Sequence, residues 1–296
     1  MGKNNKSSKS DWKDMSYDVL LRIFMTLNVV DFAAVSLVCS SWRDVCQDAL
    51  FWDGKVLDLT KWKDPRLSNL SSRLISLLKC LLNLSSGRVD CLIFKFQIYL
   101  DDREFNNIAK KSLNLKRLVL PAWFPDLSKK GIDQAMQQWE GLESLTITNN
   151  YLAPHFLESI GKYCNNLREL KLTCHLTIKI ARILTKNVPN LKVLSLQSVR
   201  VNKNALLHVV KKLKELKVLN LTHSFVVSGN RTENMVVYPK HVVQSMMENM
   251  PRKPRFLKCK GFCVKCQEVF IWNMMNKWKE PKEIVWRNDK IPSLRV

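Results

Sequence analysis

The chain has 296 residues, and 48 Lys plus Arg against 26 Asp plus Glu leave a formal net charge of +22. At 46% hydrophobic it can bury a sizeable core, which excludes wholesale disorder despite the charge. Eight scattered glycines without G-x-x-x-x-G-K-[ST] or G-x-G-x-x-G exclude a phosphate-cradling nucleotide loop, and five isolated histidines without H-E-x-x-H or G-x-S-x-G leave little for a hydrolase.

In chain order, Met1 to Ser10 is a polar Lys/Asn/Ser segment, read as a disordered basic tail without the apolar core of a signal peptide. A location in the nucleus, the cytoplasm or both is expected. Residues 11–53 hold three short helices: Tyr17, Leu20, Ile23, Phe24 and Leu27 make an apolar stripe on the first, Asp31 can cap the second, and Trp42 to Cys46 lie in the third. The long apolar stretch Val19 to Val38 is broken by Arg22 and Asp31, so no membrane span is expected.

From residue 54 onward a repeat dominates. The pattern L-x-x-L-x-L starts at Leu115, Leu142, Leu167, Leu191 and Leu216, at intervals of 27, 25, 24 and 25 residues. A degenerate copy begins at Val89, and Leu57 with Leu59 begins an earlier strand. Helical stripes such as Phe105, Ile108, Ala109 fall between the strands, so each unit reads strand, turn, helix. No unit buries its leucines alone, and stacking gives one continuous core. The expected class is therefore α/β, with parallel strands on the concave side and helices on the convex side.

Side chains alternate along a strand, so the residues between the leucines face the concave surface. Arg117, Thr146, Lys171, Ser195 and Asn220 are the candidate substrate-binding residues there. Residues 222–238 break the period with Ser228, Gly229, Asn230 and Arg231 and are read as an exposed polar loop. Pro254, Leu257 and Cys259 are then assigned to the leucine positions of a further repeat, followed by a helix near Cys263 to Trp278 and an apolar tetrad, Glu283 to Trp286. Residues 251–296 hold 12 Lys or Arg against 4 Asp or Glu, so this cap is a positive pole that favours an acidic partner.

Two resemblances follow. The variant Cys164, Leu167, Leu170, Leu172, Cys174 resembles the cysteine-containing subclass of leucine-rich repeats over residues 89 to 221. Asp11-Trp12, Met15 to Leu20, Ile23-Phe24, Leu27, Asp31, Val38 to Arg43, Cys46, Asp48 and Leu50-Phe51-Trp52 closely resemble an F-box, especially the plant type joined to leucine-rich repeats. Met15-Ser16 and Ala49 stand where that family usually has Leu-Pro and Pro, and Ser16 can cap the helix instead.

The resemblance implies a three-helix F-box at 11–53 ahead of a leucine-rich-repeat solenoid at 54–296. It further implies docking to a Skp-family adaptor, and through it to cullin and RING subunits of a ubiquitin ligase, with the repeats selecting a target protein, which the basic charge of the chain leads us to expect is acidic. Leu20, Ile23, Phe24, Leu27, Val30, Phe32, Val35 and Trp42 are the implied adaptor contacts. No catalysis and no cofactor are then required of this chain. The alternatives are a leucine-rich-repeat scaffold outside a ligase and, from a different class, a cluster-dependent enzyme. Nucleic acid is not an expected partner, because few aromatics interleave with the basic residues.

Nine cysteines, an odd number, read as reduced thiols. Cys259, Cys263 and Cys266 spell C-x-x-x-C-x-x-C, open to three readings: buried thiols, a zinc site, or an iron-sulfur cluster. With Cys259 assigned to a leucine position and only the distant His241 to offer as a fourth ligand, packing thiols without metal are expected.

Overall fold

The computed structural model describes residues 12, 15–61, 70–96, 98–121, 127–148, 153–229, 236–248, 253–259, 261, 263–274 and 287–295. The expected N-terminal tail, the tip of the 222–238 segment and the tetrad Glu283 to Trp286 lie outside the described residues.

The chain opens with α1 (Tyr17–Met25), α2 (Val29–Val35), α3 (Ser40–Cys46) and the single turn α4 (Ala49–Trp52). The caps differ from expectation. Asn28, not Asp31, starts α2, its Oδ1 accepting the N–H groups of Val30 and Asp31 at 2.9 and 3.0 Å. Ser16 precedes α1 without a side-chain cap bond. Asp48 holds α4 by accepting the Leu50 N–H at 2.8 Å, a side-chain bond that Ala49 cannot supply. An aromatic cluster closes this module: Phe32 stacks on Phe51 at 3.7 Å, and Trp52 meets both rings edge-on. The buried Trp52 indole N–H donates to the Cys46 carbonyl at 2.8 Å, so the most apolar anchor also satisfies the end of α3.

The repeats follow. A parallel sheet runs β1 (Val56–Asp58), β2 (Cys91–Ile93), β3 (Arg117–Val119), β4 (Ser144–Ile147), β5 (Glu169–Leu172), β6 (Val193–Ser195), β8 (Val218–Asn220) and β11 (Arg255–Leu257), in that order. Leu57, Leu92, Leu118, Leu145, Leu170, Leu194 and Leu219 pair in successive registers, so the periodic leucine becomes a buried ladder across the sheet. On the other side lie α5 (Leu70–Ser85), α6 (Asp102–Lys110), α7 (Lys129–Gln138), α8 (Pro154–Tyr163), α9 (Ile178–Asn187) and α10 (Lys203–Lys212). Adjacent helices pack closely: a Cβ on Gly131 would collide with the Asp102 carboxylate, and one on Gly161 with the Asn187 carbonyl oxygen. Small residues at these two places let neighbouring repeats approach. Phe51, Trp52 and Leu57 belong to one hydrophobic core with the leucine ladder, so the helical module is fused to the solenoid.

Among its described residues, 222–229 and 236–238, the segment read as an exposed polar loop is mostly strand. β7 (Arg200–Asn202), β9 (Phe225–Ser228) and β10 (Val236–Tyr238) form a small second sheet in the order β10-β9-β7, with β9 and β10 antiparallel. Phe225, Val226 and Val227 are buried. Three consecutive apolar residues, two of them β-branched, outweigh the polar tip that follows. After it come α11 (Lys240–Glu248) and α12 (Val264–Met274). No helix among the described residues is long and apolar enough to cross a membrane.

Candidate functional site

The N-terminal module presents apolar side chains outward. Val19 and Ile23 lie one turn apart on α1, Leu37 and Val38 stand in the turn between α2 and α3, and Leu50 projects from α4; all are exposed, Leu37 at 69% and Ile23 at 38%. Tyr17 ties this surface together by donating to Asp48 Oδ2 at 2.6 Å. That hydrogen bond, with partial burial and the charges of Asp48, Asp44 and Asp18, pushes the Tyr17 phenol up to about 12, and the same bond together with the Leu50 N–H holds the Asp48 carboxyl below its ordinary value.

The eight residues expected to touch an adaptor divide. Ile23 is exposed, and Leu27, Val30, Val35 and Trp42 are half-buried. Leu20, Phe24 and Phe32 face the core, Phe24 edge-on to Trp42 at 5.2 Å, and are not available for contact. The correction has a helical cause. Leu20, Ile23, Phe24 and Leu27 share one stripe, but the stripe is wide enough that one edge packs inward and only the other reaches solvent. Val19, Leu37, Val38 and Leu50, which the stripe did not single out, are exposed as well, because spacing identifies an apolar face without saying which flank is covered.

The concave row also differs from expectation. Thr146, Lys171, Ser195 and Asn220 are register neighbours on β4, β5, β6 and β8, as alternation requires, but all four are buried. Residues 287–295 lie across them. Asp289 is the hub: Lys171 Nζ stands 3.0 Å from Oδ2, Ser195 Oγ donates to Oδ2 at 2.6 Å, and Asn220 Nδ2 donates to Oδ1 at 2.8 Å. Gln197 Nε2 donates to the Asn288 carbonyl at 2.5 Å and Ser293 Oγ to Glu169 at 3.0 Å. Half-buried Arg117 donates through Nη2 to the Arg295 carbonyl at 2.6 Å. Lys171, Ser195 and Asn220 thus bind the chain's own segment, whereas the buried Thr146 hydroxyl makes no hydrogen bond to it, and the surface facing solvent there is the outer side of 287–295, where Lys290, Ser293 and Arg295 are exposed.

A third constellation lies at the far end. The register of β11 puts Phe256 opposite Leu219 and Leu257 opposite Asn220. Extended two residues, it sets Cys259 beside Thr222, one place past the leucine position to which the sequence assigned it. A one-residue slip turns a side chain to the other face of a strand. Cys259 therefore leaves the leucine ladder and meets His223, Cys263 and Cys266, the four ligand-type atoms lying within 4.8 Å of one another. His241, the sequence's candidate fourth ligand, is exposed and outside the cluster. Elsewhere burial pushes the thiols of Cys46, Cys164 and Cys174 up to about 12, so these are neutral packing atoms.

Comparison with known proteins decides the family. An F-box-like family model matches residues 17–57, the span of α1 to β1. The chain is 31% identical over 96% of both lengths to an Arabidopsis thaliana F-box/LRR-repeat protein, At3g48880. It belongs to the F-box/LRR-repeat family. Also similar are the putative F-box protein At4g11580 of the same plant, at 25% identity over 96% of each chain, and its putative F-box/LRR-repeat protein 9, at 26% over 71% of this chain and 87% of that one. The exposed apolar flank of α1 and the concave face covered by residues 287–295 stand at different parts of one continuous core.

Proposed function

We propose that this protein is the substrate-recognition subunit of a Skp-cullin-F-box ubiquitin ligase, docking the adaptor with the F-box and a target protein with the repeats. The observation that carries the reading is the F-box match over residues 17–57 together with apolar side chains left outward on that module. An exposed aliphatic flank suits a helix-to-helix interface, whose energy concentrates in a few desolvated anchors. The chain then performs no covalent step. It raises the effective concentration of a target lysine near the ubiquitin-charged carrier. The target-reading surface is the outer side of residues 287–295 with the basic rim around it. Lys290 and Arg295 there favour an acidic partner whose association weakens with salt.

The test uses purified Skp-family adaptor and the double variant Ile23→Asp, Leu37→Asp. Both side chains face solvent, so the fold and its circular dichroism should be unchanged, while two charges in an apolar interface should weaken adaptor binding about 100-fold or more. Affinity within a factor of two of the wild type, measured by calorimetry, would remove the case for a ligase subunit.

A further inference from the structure

We propose that His223, Cys259, Cys263 and Cys266 form a closed, structural zinc site of three thiolates and one imidazole that fastens the last repeat of the solenoid. His223 Nδ1 lies 3.2, 3.3 and 3.5 Å from the sulfurs of Cys259, Cys263 and Cys266, and the Cys263 and Cys266 sulfurs are 3.5 Å apart. A single ring nitrogen has one proton or one lone pair, and cannot hydrogen-bond three thiols at once. A shared central atom satisfies all four. With Zn–S near 2.3 Å and Zn–N near 2.0–2.1 Å, a tetrahedron has S···S edges of about 3.8 Å and S···N edges of about 3.6 Å, close to the three S···N separations and the Cys263–Cys266 separation, with the two sulfur pairs of Cys259 inside 4.8 Å. A disulfide does not account for the cluster, because its sulfurs would be about 2.05 Å apart and a third thiol would remain.

The fold assembles the ligands from three places. His223 follows β8 in a left-handed turn at φ 60°, the same place in its repeat that Ser198 holds after β6 at φ 63°. That conformation is unusual for a residue other than glycine, and here it projects an imidazole where the preceding repeat has a hydroxyl. Cys259 leaves the end of β11. Cys263 precedes α12, and its carbonyl accepts the N–H groups of Cys266 and Gln267 at 2.8 and 3.1 Å, so both sulfurs sit at the positive end of an 11-residue helix. The spacing of Cys263 and Cys266 is the C-x-x-C of zinc knuckles, with the other two ligands supplied by the repeat register.

The surroundings suit the charge. Three thiolates, a neutral imidazole and a divalent zinc carry a net −1, and Lys240 Nζ stands 3.1 Å from Cys266 Sγ while donating to the Gly261 carbonyl at 2.7 Å. Such an outer cation orients and steadies a ligand sulfur. Four protein ligands leave no open position, which makes the site structural, and a donor set of three sulfurs and one nitrogen favours zinc over magnesium, calcium or manganese. The end of the solenoid also needs a fastener. β11 has three residues, its ladder position Phe256 is only half-buried, and the small cluster Phe225, Val227 and Val269 with Phe270 stands apart from the main core.

The full chain, purified under reducing conditions without chelator, should contain one zinc per molecule by elemental analysis, with X-ray absorption giving a shell of three sulfurs and one nitrogen. This measurement on the wild-type chain decides the matter whether or not a ligand variant folds. Stripping the metal should lower the melting temperature by about 5 °C or more and open residues 253–295 to protease, both reversed by added zinc. Cys263→Ser, at the most exposed ligand, should reduce zinc content and give the stripped protein's protease pattern. Metal below about 0.1 per chain with three freely titrating thiols would overturn the proposal. So would iron with a cluster absorption band, or a mass two daltons low from a disulfide. Adaptor affinity is an independent readout: loss of the zinc site leaves it unchanged, and failure of the ligase reading leaves the zinc in place.

Discussion

Asp289→Ala should destabilise the protein by about 3–5 kcal/mol, read as a shift in the denaturant midpoint. The carboxylate is fully buried against Lys171, whose side chain is 1% exposed, and it accepts from Ser195, Asn220 and the Ile291 N–H as well. Removing it takes away the opposite charge that the buried Lys171 ammonium faces at 3.0 Å. Burial already holds the Lys171 ammonium below the ordinary lysine value, against the upward pull of Asp289, and the variant removes that pull while burial and the like charges of Arg117 and Lys265 remain. The converse change should be milder. In Lys171→Met the carboxylate keeps three donors, so the loss should fall to about half that of Asp289→Ala, and the order of the two variants is the measurement that checks the argument. Equal losses would mean that the hub acts through packing alone.

Trp52→Ala should cost a similar amount, about 3–5 kcal/mol, and should act on both modules together. The side chain is wholly buried, leans edge-on against Phe32 and Phe51, and gives the Cys46 carbonyl its partner. Its loss opens a cavity in the core that runs from α1 into the first strand. Trp52→Phe should recover much of the packing while leaving that carbonyl unpaired, and so fall between the two. Chemical denaturation followed by fluorescence of the remaining tryptophans should show the midpoint moving as one transition. If instead only the F-box signal shifted while the repeats melted at the wild-type midpoint, the shared core would be mechanically divided.

Which parts of this arrangement could be read in advance follows from the range of the interactions that make them. The leucine ladder was legible because each strand repeats one pattern every 24 to 27 residues, and periodicity is a local signal. The F-box was legible for a related reason, an ordered set of aromatic and aliphatic positions within some forty residues. The last repeat was not. Its strand has Phe256 as its one large ladder residue and no leucine triplet, so the register could be set one place wrong, and with it the meaning of Cys259. His223 as a partner of three cysteines was hidden by the 36 residues that separate it from Cys259. The cover over the concave face was hidden further still, because Ser195 and Asp289 are 94 residues apart and neither is unusual locally. Strand alternation gave the direction of Lys171, Ser195 and Asn220 correctly and could not say what lay above them.

A stacked-repeat protein is held together by nearest neighbours and can fray from either end, one unit at a time. The segment 287–295 changes that connectivity, because its bonds reach from Asn220 on β8, past β6 and β5, to Arg117 on β3. It acts as a bowstring across the arc. Units that share no face become coupled, so curvature is fixed rather than springy and the repeats from β3 to β8 should unzip as a group. Cutting the string, by deleting residues 287–295, should broaden the unfolding transition and let hydrogen exchange on β8 outrun that on β4, where the intact chain protects both alike.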